Sequence, residues 1–444
     1  MTVSTHLLSL ILWTPLVFAL ITSLVPSSRT DWIRALALLA TGSVFLGCLL
    51  VSLLFDTHTA QLQFSEMHRW NPALGSYYAL GVDGLSLPML LLSGLLSWLA
   101  VMVSGHIDHH IKGYHISLLM LEFGLLGVFL AQDWALFYVF WEATLIPLFF
   151  LIDRWGGTGR HTASLNFVLY TMGGSVFMLI ALLVIFTHSG EHSTGMSSMV
   201  AAAQGLSREQ QAWVLLGLCL GFGVKMPVFP LHGWLPLAHV EAPGPISILL
   251  SGALLKMGAY GLLRATGMLP DAALLFQPYL AFLAVTGMLY GALLAFRQTD
   301  LKAMVAYSSI SHMGGVLLGI ATLNETGLLG AILQMTAHGL IAGALFMLVS
   351  LLYERTHTRC LDDYSGLIQT TPRFALLTTL ALLGSMGLPG TAAFVAELHT
   401  LLGSLQSFGW ATVAASLSLL VGAAYAIRTI GKLFTGPPRP ELEN

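Results

Sequence analysis

GFGVKMPVFPLHGWLPLAHVEAPGPISILLSGALLKMGAYGLLR, from Gly221 to Arg264, is the stretch that decides how this chain folds. It places two lysines, Lys225 and Lys256, inside apolar segments of helix length. An unpaired ammonium group at the centre of a bilayer costs roughly 2.5–3.5 kcal/mol, so each lysine needs a buried partner. The prolines between the lysines interrupt helices, which a membrane tolerates only where the backbone lines a protein interior or a wet cavity. The stretch therefore predicts a broken transmembrane helix beside buried charge, as in ion-handling membrane proteins. The alternative is that each lysine lies near a helix end and extends to the lipid headgroups.

Composition defines the class of protein. Over 444 residues, 56% are hydrophobic and only 9% are charged, which indicates an all-α polytopic membrane protein. The three cysteines, Cys48, Cys219 and Cys360, are too far apart for zinc, iron–sulfur or disulfide spacing, so we expect no redox centre on this chain. A net charge of −3 without a basic cluster argues against nucleic acid as a partner. The first apolar run lacks a basic leader and a small-residue cleavage site, and we interpret it as a span.

The apolar segments predict about thirteen transmembrane helices at about 20 residues per span. Most of the 18 lysines and arginines then fall in the loops of one side, which predicts an N-terminus outside and a C-terminus in the cytoplasm. The segments 56–84 and 188–211 are the sizeable loops, and neither is expected to form a domain. The predicted helices are 6–26, 33–55, 85–104, 115–131, 134–152, 164–187, 212–230, 245–264, 275–296, 302–322, 327–351, 373–400 and 408–433.

A repeat is suggested by the positions of the buried charges. GSMGLPGTAAFVAELHTLL is a second apolar span interrupted by Gly and Pro, and it carries Glu397. Lys225 precedes Glu397 by nearly the same distance along the chain as Glu142 precedes His312. Broken helices 7 and 12 in corresponding positions predict two inverted five-helix repeats; coincidence among Gly-rich helices is the alternative. The expected organisation is helices 1–3 (1–110), helices 4–8 (111–265), helices 9–13 (266–436) and a short tail (437–444).

Buried titratable side chains are the candidate functional residues. Glu142 lies in the middle of helix 5, so it must be paired or protonated, and Lys225 is its natural partner. A Glu–Lys contact that opens and closes would switch the proton affinity of the lysine, whereas a permanently closed pair would only fix helix packing. Lys256 would be the next proton carrier. His312 and His338 can relay protons through water, or can be hydrogen-bonded core residues. Glu397 lies at the far end of this series, and Glu122 of helix 4 can join or stabilise the Glu142 region.

Metal binding and nucleophilic catalysis are less consistent with the residues. His312 and His338 lie on different helices, and the cluster of His106, His109 and His110 lies in a loop without a matching Cys or carboxylate pair. No Ser or Cys occupies an elbow-like turn beside a base. Arg264, Asp133 and His399 fall at helix ends, and we interpret them as boundary residues.

Several sequence blocks identify a family. These blocks are WEATLIPLFFLIDRWGG, VKMPVFPLHGWLPLAHVEAP, LLKMGAYGLLR, YSSISHMG, QMTAHGL, LYERTHTR and GLPGTAAFVAE. They closely resemble the antiporter-like M subunit (subunit 4 type) of respiratory complex I, which is related to subunits of multisubunit sodium/proton antiporters. The resemblance extends from about Gly81 to Lys432. It implies that Glu142 and Lys225 form the proton-input pair, that Lys256 is the central relay followed by His312 and His338, and that Glu397 lies at the outlet.

The residue at 397 separates related subunits. The L and N subunits and the sodium/proton antiporters usually carry lysine at this position, so Glu397 and LYERTHTR favour the M type. One departure is that family members commonly have a fourteenth helix, whereas this chain ends at FTGPPRPELEN. That ending is consistent with a cytoplasmic C-terminus.

The expected function is that of a proton-translocating membrane-arm subunit of an NADH (or ferredoxin):quinone oxidoreductase. The resemblance implies partners of the L and N types in the bacterial inner membrane. It implies no cofactor or metal on this chain; NADH or ferredoxin, flavin, iron–sulfur clusters and quinone would be used by other subunits. Two alternatives remain open, namely a subunit of a sodium/proton antiporter or membrane-bound hydrogenase, and a structural spacer that moves no ions.

Overall fold

The computed structural model describes residues 6–190, 192–409 and 411–439. Residues 1–5 of the predicted N-terminal segment and 440–444 of the predicted tail lie outside this range. The helices and strands, in chain order, are α1 (Leu7–Leu24), α2 (Thr30–Leu54), β1 (Gln63–Asn71), β2 (Ser76–Val82), α3 (Ser86–Met102), α4 (Ile111–Leu130), α5 (Trp134–Ala143), α6 (Leu145–Trp155), α7 (Arg160–Thr187), α8 (Met196–Gln204), α9 (Arg208–Lys225), α10 (Trp234–Glu241), α11 (Gly244–Leu249), α12 (Leu255–Met268), α13 (Pro270–Arg297), α14 (Leu301–Ala321), α15 (Glu325–Thr356), α16 (Leu367–Thr370), α17 (Pro372–Ser385), α18 (Ala392–Phe408) and α19 (Ala411–Phe434).

The predicted fold class is confirmed. Eleven helices within the described residues are long and apolar enough to cross a membrane. The two predicted interrupted segments, 212–230 and 373–400, are not among these eleven. The number thirteen and the inverted repeats stay predictions.

The chain forms two compact units. The first unit contains Met1–Met226 and Ala253–Leu275, and the second contains Pro227–Gly252 and Phe276–Asn444. In the first unit α1 packs on α4, α2 packs on α3, and α9 packs on both α7 and α12. In the second unit α15 packs on α11, α14 and α18, and α19 packs on α17 and α18.

A β-hairpin occupies most of the segment 56–84, which the sequence analysis interpreted only as a loop. β1 and β2 pair antiparallel, with Glu66 opposite Leu80. The Glu66 carboxylate is buried and accepts hydrogen bonds from the backbone N–H groups of Leu8 (2.8 Å) and Ser9 (3.2 Å). These N–H groups belong to the first turn of α1, where intrahelical acceptors are lacking. The hairpin therefore caps a membrane helix.

Proline interrupts the helix that carries Glu142. α5 ends at Ala143 and α6 begins at Leu145. Pro147 has no N–H to donate to the carbonyl of Ala143, and its ring crowds that carbonyl, so the helix is broken at Thr144. The sequence pattern predicts one continuous helix, 134–152, at this position.

The two predicted helix interruptions are present. α9 ends at Lys225, and the chain continues through the short helices α10 and α11 and a π-helical turn, Leu250–Leu254, before α12 begins. In the second unit α17 ends at Ser385 and α18 begins at Ala392. Gly387 and Gly390 between them have φ of 69° and 97°, a conformation that glycine adopts without strain.

Candidate functional site

Lys225, the last residue of α9, is fully buried in the first unit. Its ammonium group donates a hydrogen bond to Oγ1 of Thr144 at 3.0 Å. The same nitrogen lies 4.6 Å from the centre of the Trp141 ring, which is within range of a cation–π interaction. The Thr144 hydroxyl in turn donates to the carbonyl of Trp141 at 2.8 Å. The direct partners of this lysine are therefore neutral groups at the break between α5 and α6.

Glu142 lies between Trp141 and that break, close enough to interact electrostatically with Lys225. No ion pair within 4.0 Å joins the two side chains in the described part of the chain. Oε1 of Glu142 is buried without a hydrogen-bond partner, and Tyr138, one turn earlier on α5, interacts with Glu142. The structure thus places the predicted pair within electrostatic range of each other, and the ammonium group of Lys225 is hydrogen-bonded to Thr144.

Lys256 lies in α12, immediately after the π-helical turn, and it is also fully buried. Two residues further on, Gly258 faces α9. A Cβ atom at this glycine would lie 2.5 Å from the carbonyl oxygen of Phe222 and 2.7 Å from the nitrogen of Met226. The missing side chain allows α12 to approach the end of α9, so the helices that carry Lys225 and Lys256 are in direct backbone contact.

In the second unit, α14, α15 and α18 bring together the other three predicted residues. Nδ1 of His312 lies 3.7 Å from Oε1 of Glu397. The rings of His312 and His338 are 5.3 Å apart between centroids. Gln334, one turn before His338, places Nε2 at 3.2 Å from Nδ1 of His312. Two imidazoles, a carboxylate and an amide therefore form one cluster.

A cavity adjoins this cluster, and its volume accessible to water is about 30 Å³. Because one water needs about 10–15 Å³, the cavity has room for about two or three waters. His312 and Glu397 line it together with other polar side chains, which are Ser311, Gln334, Ser385, Thr400, Ser418 and Tyr425. Tyr425 interacts with Ser308 and Ser385 and lies near Glu397. The cluster therefore combines titratable side chains with space for water.

Glu397 approaches the interruption between α17 and α18. A Cβ atom at Gly387 would collide with Oε2 of Glu397, so the carboxylate lies directly against the backbone of the break. Lys225 likewise lies at the end of a broken helix. Each unit therefore contains an ionisable side chain at a helix interruption.

Glu122 on α4 is fully buried, and neither of its carboxylate oxygens has a hydrogen-bond partner among the described residues. Its electrostatic neighbour is the thiol of Cys48 on α2. Gly124, two residues later, faces Thr144 instead. Because residues two apart on a helix do not share a face, Glu122 points away from the Thr144 side of α4.

The three residues interpreted as boundary residues have different surroundings. Asp133 caps α5 and accepts from the N–H groups of Ala135 (2.9 Å) and Leu136 (3.0 Å). His399 is half-buried, and its Nδ1 lies 2.8 Å from the carbonyl oxygen of Val395 within its own helix. Arg264 forms an ion pair with Asp83.

The Asp83–Arg264 pair joins α12 to the start of α3. Arg264 Nη2 lies 2.6 Å from Oδ2 of Asp83. Burial opposes ionisation of Asp83, but the guanidinium group and the N–H of Ser86 prevail and hold the pKa of this carboxyl below its ordinary value. The pair anchors the helix that carries Lys256.

Thr144, Gln334 and Gly258 were not identified from the sequence. Thr144 follows Glu142 by two residues and precedes Pro147 by three, so the proline was a usable signal for a break at this point. Gln334 and Gly258 carry no charge, and neither residue stands out in a transmembrane helix that contains many small residues. In the described residues, no group of three or more His, Cys, Asp or Glu side chains is arranged to hold a metal ion.

Comparison with known proteins assigns the family. Residues 131–422 match the family described as "NADH:quinone oxidoreductase/Mrp antiporter, TM". The chain belongs to this family. NAD(P)H-quinone oxidoreductase chain 4 1 of a Synechococcus strain is 42% identical over 98% of this chain and 83% of its own length. Chain 4 2 of Thermosynechococcus vestitus is 41% identical over 95% and 80%. These relatives confirm the predicted resemblance to the antiporter-like M type, subunit 4.

Solved structures agree with this assignment. A chain of respiratory complex I from Thermus thermophilus is 36% identical, with a TM-score of 0.89, and the match covers 97% of this chain and 90% of that chain. A chain of the Mrp complex from Dietzia shares the fold at 22% identity, with a TM-score of 0.84 over 99% of this chain and 82% of that chain. This family member is therefore a proton-translocating membrane-arm subunit of an oxidoreductase.

Proposed function

We propose that this chain moves protons by opening and closing the contact between Glu142 and Lys225, in response to redox chemistry elsewhere in the complex. When the pair closes, the carboxylate favours a charged lysine; when it opens, the buried ammonium group is disfavoured and its proton is released. The single observation that carries the proposal is the position of Lys225, which is hydrogen-bonded to neutral Thr144 while Glu142 remains within electrostatic range.

The released proton then passes to Lys256, through His312 and His338, and leaves by way of Glu397. The order of these steps follows the family resemblance. Contacts within the second unit support the later steps, because His312, His338 and Glu397 form one cluster beside a water-sized cavity. We assign Glu122 a secondary part, as a buried acid beside Cys48 that stabilises the first unit's proton-binding region.

Neighbouring subunits of the L and N types complete the membrane arm in this proposal, and the complex resides in a bacterial inner membrane with the N-terminus outside. NADH or ferredoxin, flavin, iron–sulfur clusters and quinone belong to other subunits. The three-part organisation, with helices 1–3 followed by inverted repeats at 111–265 and 266–436, is part of the same proposal.

The test uses the whole complex reconstituted in vesicles. Glu142→Gln and Lys225→Ala should each abolish most quinone-linked proton uptake while the complex still assembles. Glu325→Gln is a matched control, because Glu325 is an exposed acid in the first turn of α15 and should leave uptake unchanged. Normal uptake by an assembled Glu142→Gln or Lys225→Ala complex would refute the mechanism. Uptake that requires sodium would favour the antiporter alternative.

A further inference from the structure

The stretch that connects α11 to α12 is wound as a π-helix at Leu250–Leu254, and it contains Ser251. A π-helical turn is less stable than the same residues in an α-helix, and such turns frequently occur at functional sites. Here the distortion does not arise from a proline, because the segment reads LSGAL. A function for Ser251 would explain the distortion.

Ser251 faces a second serine within the same unit. Its Oγ lies 3.0 Å from Oγ of Ser309 on α14, and either hydroxyl can be the donor. Both side chains are fully buried. Burying a hydroxyl requires a compensating hydrogen bond, and here two hydroxyls satisfy each other.

Ser309 has one further acceptor in reach, the carbonyl of Val305 at 3.1 Å. That carbonyl also accepts a shorter hydrogen bond, 2.7 Å, from the hydroxyl of Ser308. Because Ser308 supplies Val305 with a donor, the Ser309 hydrogen can rotate without leaving the carbonyl unpaired. A hydroxyl pair with two possible directions is suited to passing a proton.

Ser309 lies close to His312 on α14. His312 follows Ser309 by three residues on α14, and residues at this spacing share a helix face. His312 lines the water-sized cavity with Glu397. A single water is enough to connect a hydroxyl on this face with the imidazole.

We propose that the Ser251–Ser309 pair is a proton relay that supplies His312, and this inference rests on the proposed function. An excess proton that arrives as hydronium forms a new O–H bond at Ser251 and leaves neutral water behind, while the original Ser251 hydrogen moves to Ser309. The original Ser309 hydrogen moves in turn, through water, to a nitrogen of His312. One O–H bond forms and one breaks at each oxygen, the net charge of +1 is conserved, and rotation of both hydroxyls restores the starting state.

The experiment measures quinone-linked proton uptake by the reconstituted complex in H₂O and in D₂O. Ser309→Ala and Ser251→Ala should each reduce uptake about five- to tenfold, since removal of one hydrogen-bonded step raises the barrier by about one hydrogen bond. The solvent isotope effect should increase because the interrupted relay becomes rate-limiting. Ser309→Thr keeps a hydroxyl and should restore much of the uptake with the original isotope effect.

Ser247→Ala is the matched control. Ser247 is buried one turn before Ser251, and within the described residues its hydroxyl donates to the backbone carbonyls of His239 (3.3 Å) and Pro243 (3.4 Å). This variant should keep normal uptake and a normal isotope effect.

A purely structural role for the pair predicts a different result. Ser309→Ala would then lower assembly or uptake without changing the isotope effect, and Ser309→Thr would be no better because its extra methyl group overpacks the site. Either result, or normal uptake by both alanine variants, would overturn the relay. Lys225→Ala in the same assay separates the two proposals. If it stops uptake while the serine variants do not, the relay is wrong and the proposed function stands.

Discussion

Gly258→Ala should separate α12 from α9 and impair proton transfer without loss of a titratable group. The added Cβ would lie 2.5 Å from the Phe222 carbonyl oxygen and 2.7 Å from the Met226 nitrogen, both rigid backbone atoms. Ordinary contact is nearer 3.4 Å, so α12 must move by somewhat less than 1 Å. Overpacking of this kind costs about 1–3 kcal/mol, against a gain of about 0.5–1 kcal/mol for replacing Gly by Ala in a helix.

The functional effect should exceed the effect on stability. A displacement of about 1 Å between reacting groups can lower a rate by about 100-fold, and here the displaced helix carries Lys256. We therefore expect an assembled complex with normal electron entry, reduced quinone-linked proton uptake and a small decrease in thermal stability. Uptake would be measured with a fluorescent pH indicator in reconstituted vesicles.

Gly267→Ala provides the control on the same helix. A Cβ at Gly267 has no other atom within 4 Å, and the residue is exposed. Helix propensity alone should make this variant neutral or slightly more stable, with normal uptake. If the Gly258→Ala and Gly267→Ala complexes pump equally well, the close approach of α12 to α9 has no role in proton transfer, and Gly258 is an ordinary packing residue.

Three further predictions concern other contacts. Thr144→Val removes the hydrogen-bond acceptor of Lys225 but keeps the side-chain shape, and the loss of about 1.5–3 kcal/mol should slow uptake by one to two orders of magnitude; wild-type uptake would contradict this. Gly387→Ala introduces a side chain at φ 69° and against the Glu397 carboxylate, so both uptake and stability should fall, which thermal denaturation would detect. Asp83→Asn removes an ion pair whose carboxyl has a lowered pKa. Its destabilisation should be full above the unfolded-state pKa of about 3.9 and should be lost as the pH falls from there through the lower folded-state pKa of Asp83; a pH-independent difference in melting temperature would contradict the sign.

The sequence was sufficient to predict the class of fold and the positions of both interrupted helices. Burying a charge costs free energy and proline lacks a backbone N–H donor, so residues such as Lys225 and Pro227 can be recognised from the sequence alone. The hairpin at 63–82 was missed for the opposite reason. Its first strand is mostly exposed and polar, and the buried Glu66 looks like another loop residue until α1 is seen to need its carboxylate.

The partners of the predicted residues could be foreseen less well. Thr144, in the break between α5 and α6, contacts Lys225, and Gln334 on α15 lies next to His312. A neutral side chain far away in the sequence gives no periodicity or charge pattern to detect. The π-helical turn at Leu250–Leu254 could not be predicted either, because the segment LSGAL contains no proline and its single glycine is common in transmembrane helices that stay α-helical.

The neutral partners have an energetic consequence for proton transfer. Leaving one member of a buried ion pair without its partner costs about 3–5 kcal/mol, a difference that would slow each transfer by a factor of about 100 to several thousand. Lys225 instead donates to a hydroxyl, and His312 has an amide at 3.2 Å with its carboxylate neighbour further away at 3.7 Å. A hydrogen bond between a charged group and a neutral one contributes about 1.5–3 kcal/mol net, less than the cost of breaking a buried ion pair, so protonated and deprotonated states lie closer in free energy than they would in closed ion pairs. Small changes in the position of a carboxylate are then large enough to reverse the preferred state, because they compete with about one hydrogen bond instead of a closed ion pair.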